Sequence, residues 1–194
     1  MSRIILLRHG STEANEKFLY CGQTDIPLSE NGRRLLEEKR RQGGYPDIVG
    51  FRVVTSGMRR TEETLFGLFG EVEHEKNPEL REISFGDYEM RDYYALEKVP
   101  GFLDWLKRSD EQAPPHGESG SEMRERVLRA FFSLAGSGDD LLLVVHGGTI
   151  VNIMSDLFPE EQKGRYDWQP SGGEGYELEF ADGKASGYKK IPTE

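Results

Sequence analysis

Arg3-Ile4-Ile5-Leu6-Leu7-Arg8-His9-Gly10-Ser11-Thr12 opens the chain with four apolar residues between arginines, then a histidine and a glycine turn. A run without polar alternation marks a strand covered on both faces. The pattern returns at Leu141-Leu142-Leu143-Val144-Val145, which leads into His146-Gly147-Gly148-Thr149. Phe51–Thr55 reads as another strand, leading into Ser56-Gly57-Met58-Arg59-Arg60-Thr61. Helical segments lie between them. Ser29 is placed to cap a charged helix through Gln42, which Gly43-Gly44 and Pro46 would end. Met58–Phe69 has Leu65, Phe66, Leu68 and Phe69 for its apolar side, and Met90–Lys107 reads as two short helices broken at Pro100-Gly101. Ser119 and Glu122 have capping-box spacing ahead of a stripe from Met123 to Ala135, and Gly147–Phe158 forms a further helix. Tyr176–Phe180 and Ser186–Ile191 flank Asp182-Gly183, a type I′ hairpin signal. Strands alternating with helices predict an α/β fold, a three-layer α/β/α sandwich with a largely parallel central sheet. Functional side chains then belong at the C-terminal ends of the strands.

The 194 residues suit a single domain spanning the whole chain, residues 1–194. Apolar residues at 36% and charged residues at 31% give a soluble globular balance. A formal charge of −10 argues against nucleic acid or an anionic membrane as partner. No apolar run approaches spanning length, and the N-terminus enters a strand rather than a signal peptide, so a cytoplasmic location is expected. The one cysteine, Cys21, has no partner for a disulfide or a zinc cluster, and no metal or cofactor is expected.

His9 and His146 occupy the same kind of place: strand end, glycine turn, helix start. Alone, each reads as a satisfied, partly buried polar residue. Together, with Arg8 adjacent, they suggest a phosphate site, because glycine turns expose backbone N–H groups and guanidinium forms bidentate bonds to phosphate oxygens. Arg59 and Arg60 at a helix start oppose the macrodipole unless an anion sits there. Glu82, within Leu80-Arg81-Glu82-Ile83-Ser84-Phe85-Gly86, is by itself an ordinary loop carboxylate.

Arg8-His9-Gly10-Ser11-Thr12 with Asn15, Gly22–Gly32, Ser56–Thr64, Leu80–Glu89, Gly117-Glu118-Ser119 and Val145–Gly148 are six ordered blocks covering nearly the whole chain. In these blocks the sequence resembles the histidine phosphatase superfamily, the phosphoglycerate-mutase-like proteins, and in particular the short branch that includes α-ribazole phosphatases. The resemblance implies that His9 is a nucleophile that becomes phosphorylated. It implies that Arg8, Arg60 and His146 clamp the phosphoryl oxygens and that Glu82 donates the proton. Asn15, Thr12, the Gly147 backbone, Gln23 and Thr24 are the implied substrate contacts. The implied activity is metal-independent hydrolysis of a small phosphate ester. A cofactor-dependent phosphoglycerate mutase and a catalytically silent binding module are the alternatives. Mutases of the family carry a longer insertion where this chain has only the segment 87–116, which favours hydrolysis.

The chain departs from the family where Tyr88-Glu89 is followed by Met90 rather than glycine, and where Glu174 stands in a turn of small residues. His116 reads as an exposed loop residue, His74 as a surface residue and Cys21 as a packed thiol. The residues offer no signal for a particular substrate or oligomeric state.

Overall fold

Successive residues of β1 (Ser2–Arg8) point to opposite faces of the sheet, and both faces are covered. Ile4 and Leu6 join one apolar cluster, and Ile5 and Leu7 join another. The computed structural model describes residues 1–193 and carries this parity across the neighbouring strands. Its further elements are α1 (Glu13–Glu16), α2 (Glu30–Gln42), β2 (Arg52–Thr55), α3 (Arg59–Phe69), β3 (Glu75–Lys76), α4 (Tyr93–Leu96) and α5 (Phe102–Lys107). They continue with α6 (Gly120–Ala135), β4 (Leu141–Val145), α7 (Gly147–Leu157), β5 (Gly175–Ala181) and β6 (Lys184–Ile191).

In β4, Leu141, Leu143 and Val145 pack with Phe131 of α6 and with Ile150 and Met154 of α7. Leu142 and Val144 pack on the opposite face with Leu36 of α2 and Leu65 of α3. The three layers follow from that alternation, and the uninterrupted apolar runs of β1 and β4 are its cause. Strand order is β3-β2-β4-β1-β5-β6. The pairings β3·β2, β2·β4 and β4·β1 are parallel, and the C-terminal hairpin adds β5 and β6 antiparallel at the other side of β1. Positive φ at both Asp182 and Gly183 gives the hairpin its expected turn. Among the described residues, no helix is long and apolar enough to cross a membrane.

The helix signals act as the residues dictate. Ser29 Oγ accepts from the Gly32 N–H at 2.8 Å, and Ser119 and Glu122 cap α6 reciprocally. Two expectations change. Phe66 is 60% exposed, because the inward face of α3 is Thr61, Thr64, Leu65 and Leu68, and Phe66 lies about 100° around the helix from Leu65. His74 is half-buried rather than a surface residue. Pairing of Val54 with Glu75 draws it against α3, where its Nε2 lies 2.9 Å from Glu62 and its Nδ1 lies 2.8 Å from the Val72 carbonyl.

A third cluster lies apart from both faces. Tyr88, Leu96, Phe102 and Trp105 form its buried centre, with Tyr20, Phe85 and Val99 packed around them. It makes a small cap over the C-terminal ends of the parallel strands.

Candidate active site

Strand register brings the two histidines together. Arg8 of β1 pairs with Val145 of β4, and the His9 N–H donates to the Val145 carbonyl at 3.0 Å. His9 and His146 therefore leave the sheet side by side, with ring centroids 5.1 Å apart at 67°.

Each ring has its tautomer assigned by its partners. His9 Nδ1 lies 2.7 Å from the Gly10 carbonyl, which can only accept, so the proton is on Nδ1 and Nε2 keeps its lone pair. His146 Nδ1 accepts from Arg60 Nε at 3.3 Å, so its Nε2 donates to Ser56 Oγ at 2.8 Å. The Thr61 hydroxyl donates to the Met58 carbonyl at 2.7 Å, which leaves its oxygen to accept from Ser56 at 3.2 Å. Burial, then Arg60 and Arg8, hold His9 well below histidine's ordinary range, outweighing the Gly10 carbonyl. Burial, then Arg60, His9 and Arg8, do the same for His146. Both rings are neutral at neutral pH.

Arg60 is 1% exposed. Its Nη1 donates to the Thr24 carbonyl at 2.9 Å and its Nη2 to the Gly22 carbonyl at 2.5 Å. With Nε on His146, three of its five N–H groups are engaged among the described residues, leaving one on each terminal nitrogen. Arg8 donates from Nη1 to the Pro170 carbonyl at 2.7 Å, and Gln169, with its carbonyl turned inward, accepts from both terminal nitrogens at 3.3 Å. Arg8 Nε is buried without a hydrogen-bond partner among the described residues. Burial lowers the pKa of both guanidiniums, partly offset at Arg8 by Glu82 and at Arg60 by Cys21 and Glu82. An anion entering here gains from two charges that have lost most of their water.

Glu82 Oε2 accepts from the Gly148 N–H at 2.8 Å and Oε1 from the Ile83 N–H at 2.9 Å. The carboxyl group thus sits at the N-terminus of α7, against one of the helix's free N–H groups. A Cβ on Gly148 would lie 2.3 Å from Glu82 Oε1, so glycine is what admits the carboxylate. Arg126 braces the acid loop from behind. Its Nη1 donates to the Glu79 and Arg81 carbonyls at 2.6 and 3.1 Å, and its Nη2 bonds Glu118 at 2.5 Å.

A cleft of about 700 Å³ opens above, lined by Arg8, Asn15, Glu82, Gly148 and Gln169 together with Tyr20, Phe85, Tyr93 and Trp105 from the cap side and Tyr166 from the segment after α7. His9, Arg60 and His146 are buried and do not line the cleft directly, with His9 6% exposed. Of the implied substrate contacts, Asn15 reaches the cleft, with its carbonyl oxygen spent on the Thr12 N–H and hydroxyl. Thr12 serves as the N-cap of α1. Gln23 Nε2 donates to the Glu82 carbonyl at 3.3 Å, and the Thr24 hydroxyl is taken by Glu89 at 2.7 Å. Gly147 packs against Arg8 and Gln169, where a Cβ would lie 3.3 Å from Arg8 Nε. His116 is exposed and pairs with Asp87, while Glu174 pairs with Lys39 away from the cleft lining. Cys21 lines the cleft, and burial raises its thiol pKa.

Gln169 and Arg126 were not signalled as site residues by the sequence, and Glu89 was legible only as part of the acid-loop block, not by what it binds. Each acts through partners remote in the chain, and no local pattern announces a carbonyl aimed at an arginine from that distance.

The histidine phosphatase superfamily (branch 1) model matches residues 4–188. The chain is 32% identical to an adenosylcobalamin/α-ribazole phosphatase of Salmonella typhimurium, over 80% of this chain and 79% of that one. It is 31% identical to a phosphoglycerate mutase of Schizosaccharomyces pombe, over 79% and 78% of the two chains. The α-ribazole phosphatase structure from Shigella flexneri superposes with a TM-score of 0.81 at 24% identity, covering 94% of this chain and 93% of that one, which shows a shared fold. These relatives support a phosphatase or mutase enzyme. By sequence match along nearly its whole length, the chain belongs to branch 1 of the histidine phosphatase superfamily.

Proposed function

We propose that the protein is a metal-independent phosphomonoesterase that hydrolyses a small phosphate ester through a phosphohistidine at His9. The observation that carries this reading is the His9 tautomer: Nδ1 is committed to the Gly10 carbonyl, so a neutral Nε2 lone pair is left on a ring that feels both Arg60 and Arg8. In the first step the Nε2 lone pair attacks phosphorus and the bond to the ester oxygen breaks. Glu82 passes its proton to that oxygen, releasing an alcohol. Arg8, through the unpartnered Nε, and Arg60, through its two remaining N–H groups, hold the charge on the equatorial oxygens. His146 holds the Arg60 side chain through Nδ1 and adds no charge of its own. In the second step water attacks phosphorus, Glu82 takes its proton, the N–P bond breaks and orthophosphate leaves with His9 restored.

The aromatic lining of the cleft suits a leaving group with an apolar face. The Salmonella relative named as an α-ribazole phosphatase favours hydrolysis, and the yeast relative named as a mutase keeps transfer as the second reading. Incubation with a phosphomonoester followed by rapid quench is expected to label His9 with acid-labile, alkali-stable phosphate, and His9→Ala to lose label and turnover. Full turnover in His9→Ala refutes the proposal. Primed with bisphosphoglycerate, 3-phosphoglycerate is expected to release more orthophosphate than 2-phosphoglycerate; the reverse ratio makes the protein a mutase. Turnover that collapses on chelation and returns with magnesium refutes the metal-independent part.

A further inference from the structure

One carboxylate has more backbone partners than any group of the proposed reaction, and the mechanism does not use it. Glu89 accepts the N–H groups of Gly22 (3.0 Å), Gln23 (2.9 Å), Thr24 (3.2 Å) and Phe85 (3.0 Å), and the Thr24 hydroxyl at 2.7 Å. It therefore ties the acid loop that carries Glu82 to a three-residue segment more than sixty positions earlier. The other side of that segment faces Arg60, whose two terminal nitrogens bond the Gly22 and Thr24 carbonyls.

The link is stiff for a covalent reason. The Gly22 carbonyl and the Gln23 N–H belong to one peptide plane, and in a trans peptide they point in opposite directions. The N–H end is fixed on Glu89 and the carbonyl end on Arg60, so the plane is a rigid bar between a carboxylate and a guanidinium. Packing admits no slack, because a Cβ on Gly22 would lie 1.7 Å from the Ile83 carbonyl oxygen. Turning the plane turns the acceptor that Arg60 follows, and with it the two N–H groups left for substrate.

We propose that Glu89 is a positioning residue for phosphoryl transfer, setting the angle of the Arg60 guanidinium through the Gly22–Gln23 peptide. This rests on the reading of Arg60 as a phosphoryl clamp. Glu89→Gln keeps the shape and replaces one acceptor oxygen with an amide group that faces N–H donors.

The test is a double-mutant cycle on the full chain, using nitrophenyl phosphate turnover and inhibition by orthovanadate, a mimic of the five-coordinate phosphoryl group. Glu89→Gln is expected to lower kcat about 10–100-fold, the upper figure being what misplacement of a catalytic group by about an ångström can cost. Vanadate affinity should fall by a similar factor, while KM changes little. In an Arg60→Lys background the same change should cost less than about twofold, because an ammonium cannot use the forked carbonyl pair. Thr24→Val, which removes one donor to Glu89 and no charge, should cost a few-fold in the native background only. It serves if Glu89→Gln does not fold. Equal losses in both backgrounds, or a folded Glu89→Gln with native turnover, overturn the proposal. Native turnover in Arg60→Lys overturns it in a different way, by removing the clamp itself.

Discussion

Lowering the pH from about 7.5 to about 5 is expected to cost the native state up to about 4 kcal/mol, with His9 and His146 as the source. Burial, reinforced by Arg60, holds both rings neutral in the folded protein. In the unfolded chain each returns to its ordinary value of 6.5. Below that value the unfolded state binds two protons that the native state does not, so stability rises with pH in this window and falls on acidification. Each ring contributes a limiting slope of about 1.4 kcal/mol per pH unit while it stays neutral in the native state, and integration down to about pH 5 gives at most about 2 kcal/mol per ring. Against a total of about 5–15 kcal/mol this is a large share. His74 acts with the opposite sign in a different window. The Val72 carbonyl and Glu62 raise its pKa, so its contribution is complete below 6.5 and is lost as pH rises through the raised value. At Glu62 burial is outweighed by Lys76, Thr55 and His74, and at Glu177 by Arg3 and Lys189, so both depressed carboxylates act only around and below 4.5. Urea unfolding at stepped pH, extrapolated to water, reads the slope directly. His9→Gln and His146→Gln should each remove half of it, whatever they do to stability at neutral pH. A slope that survives both substitutions, or a flat profile between about pH 6.5 and 5, would show that neither ring is held neutral.

Two further outcomes follow from the site and its loop. Glu82→Gln should slow phosphoryl transfer from an alkyl phosphate about 10²–10⁴-fold and from a nitrophenyl ester far less, since a phenolate departs without the proton. Burst kinetics separate that step from dephosphorylation, and native rates with both esters would exclude Glu82 as the acid. Met90 holds φ at +58°, where the family often has glycine. Met90→Gly should stabilise by about 0.5–1 kcal/mol, the relief of left-handed strain less the entropy cost of glycine. Met90→Ala should not stabilise, because it keeps the strain. Thermal melts in which the glycine variant is no better than the alanine one would refute the argument.

The layers and the two histidines were legible because β1 and β4 are uninterrupted apolar runs whose last residues lead straight into His9 and His146. The hairpin and the α6 cap were legible because Asp182-Gly183 and Ser119/Glu122 are local signals. What escaped depends on partners far along the chain. β3 is two residues, Glu75 and Lys76, without any periodicity, and its place follows from pairing with β2. The position of β5 beside β1 leaves no trace in either strand. Thr12 reads as a phosphate contact and serves as a helix cap, although its spacing to Asn15 matches that of Ser119 to Glu122. Glu89 carries no hint of its five donors, since four of them come from residues 22–24.

The separate core of the cap has an evolutionary consequence. Tyr88, Leu96, Phe102 and Trp105 pack mainly on one another and on Tyr20, Phe85 and Val99, not on the clusters flanking the sheet. Substitutions in the part of this cap beyond the acid loop, at Leu96, Phe102 and Trp105, act first on a local cluster and not on the two clusters that flank the sheet. On the proposed reading of the site, selection can therefore rework the cap side of the cleft separately from the residues at the strand ends. If the proposed hydrolysis holds, that division makes the segment from Met90 to Lys107 the place where directed evolution toward a new phosphate ester should begin.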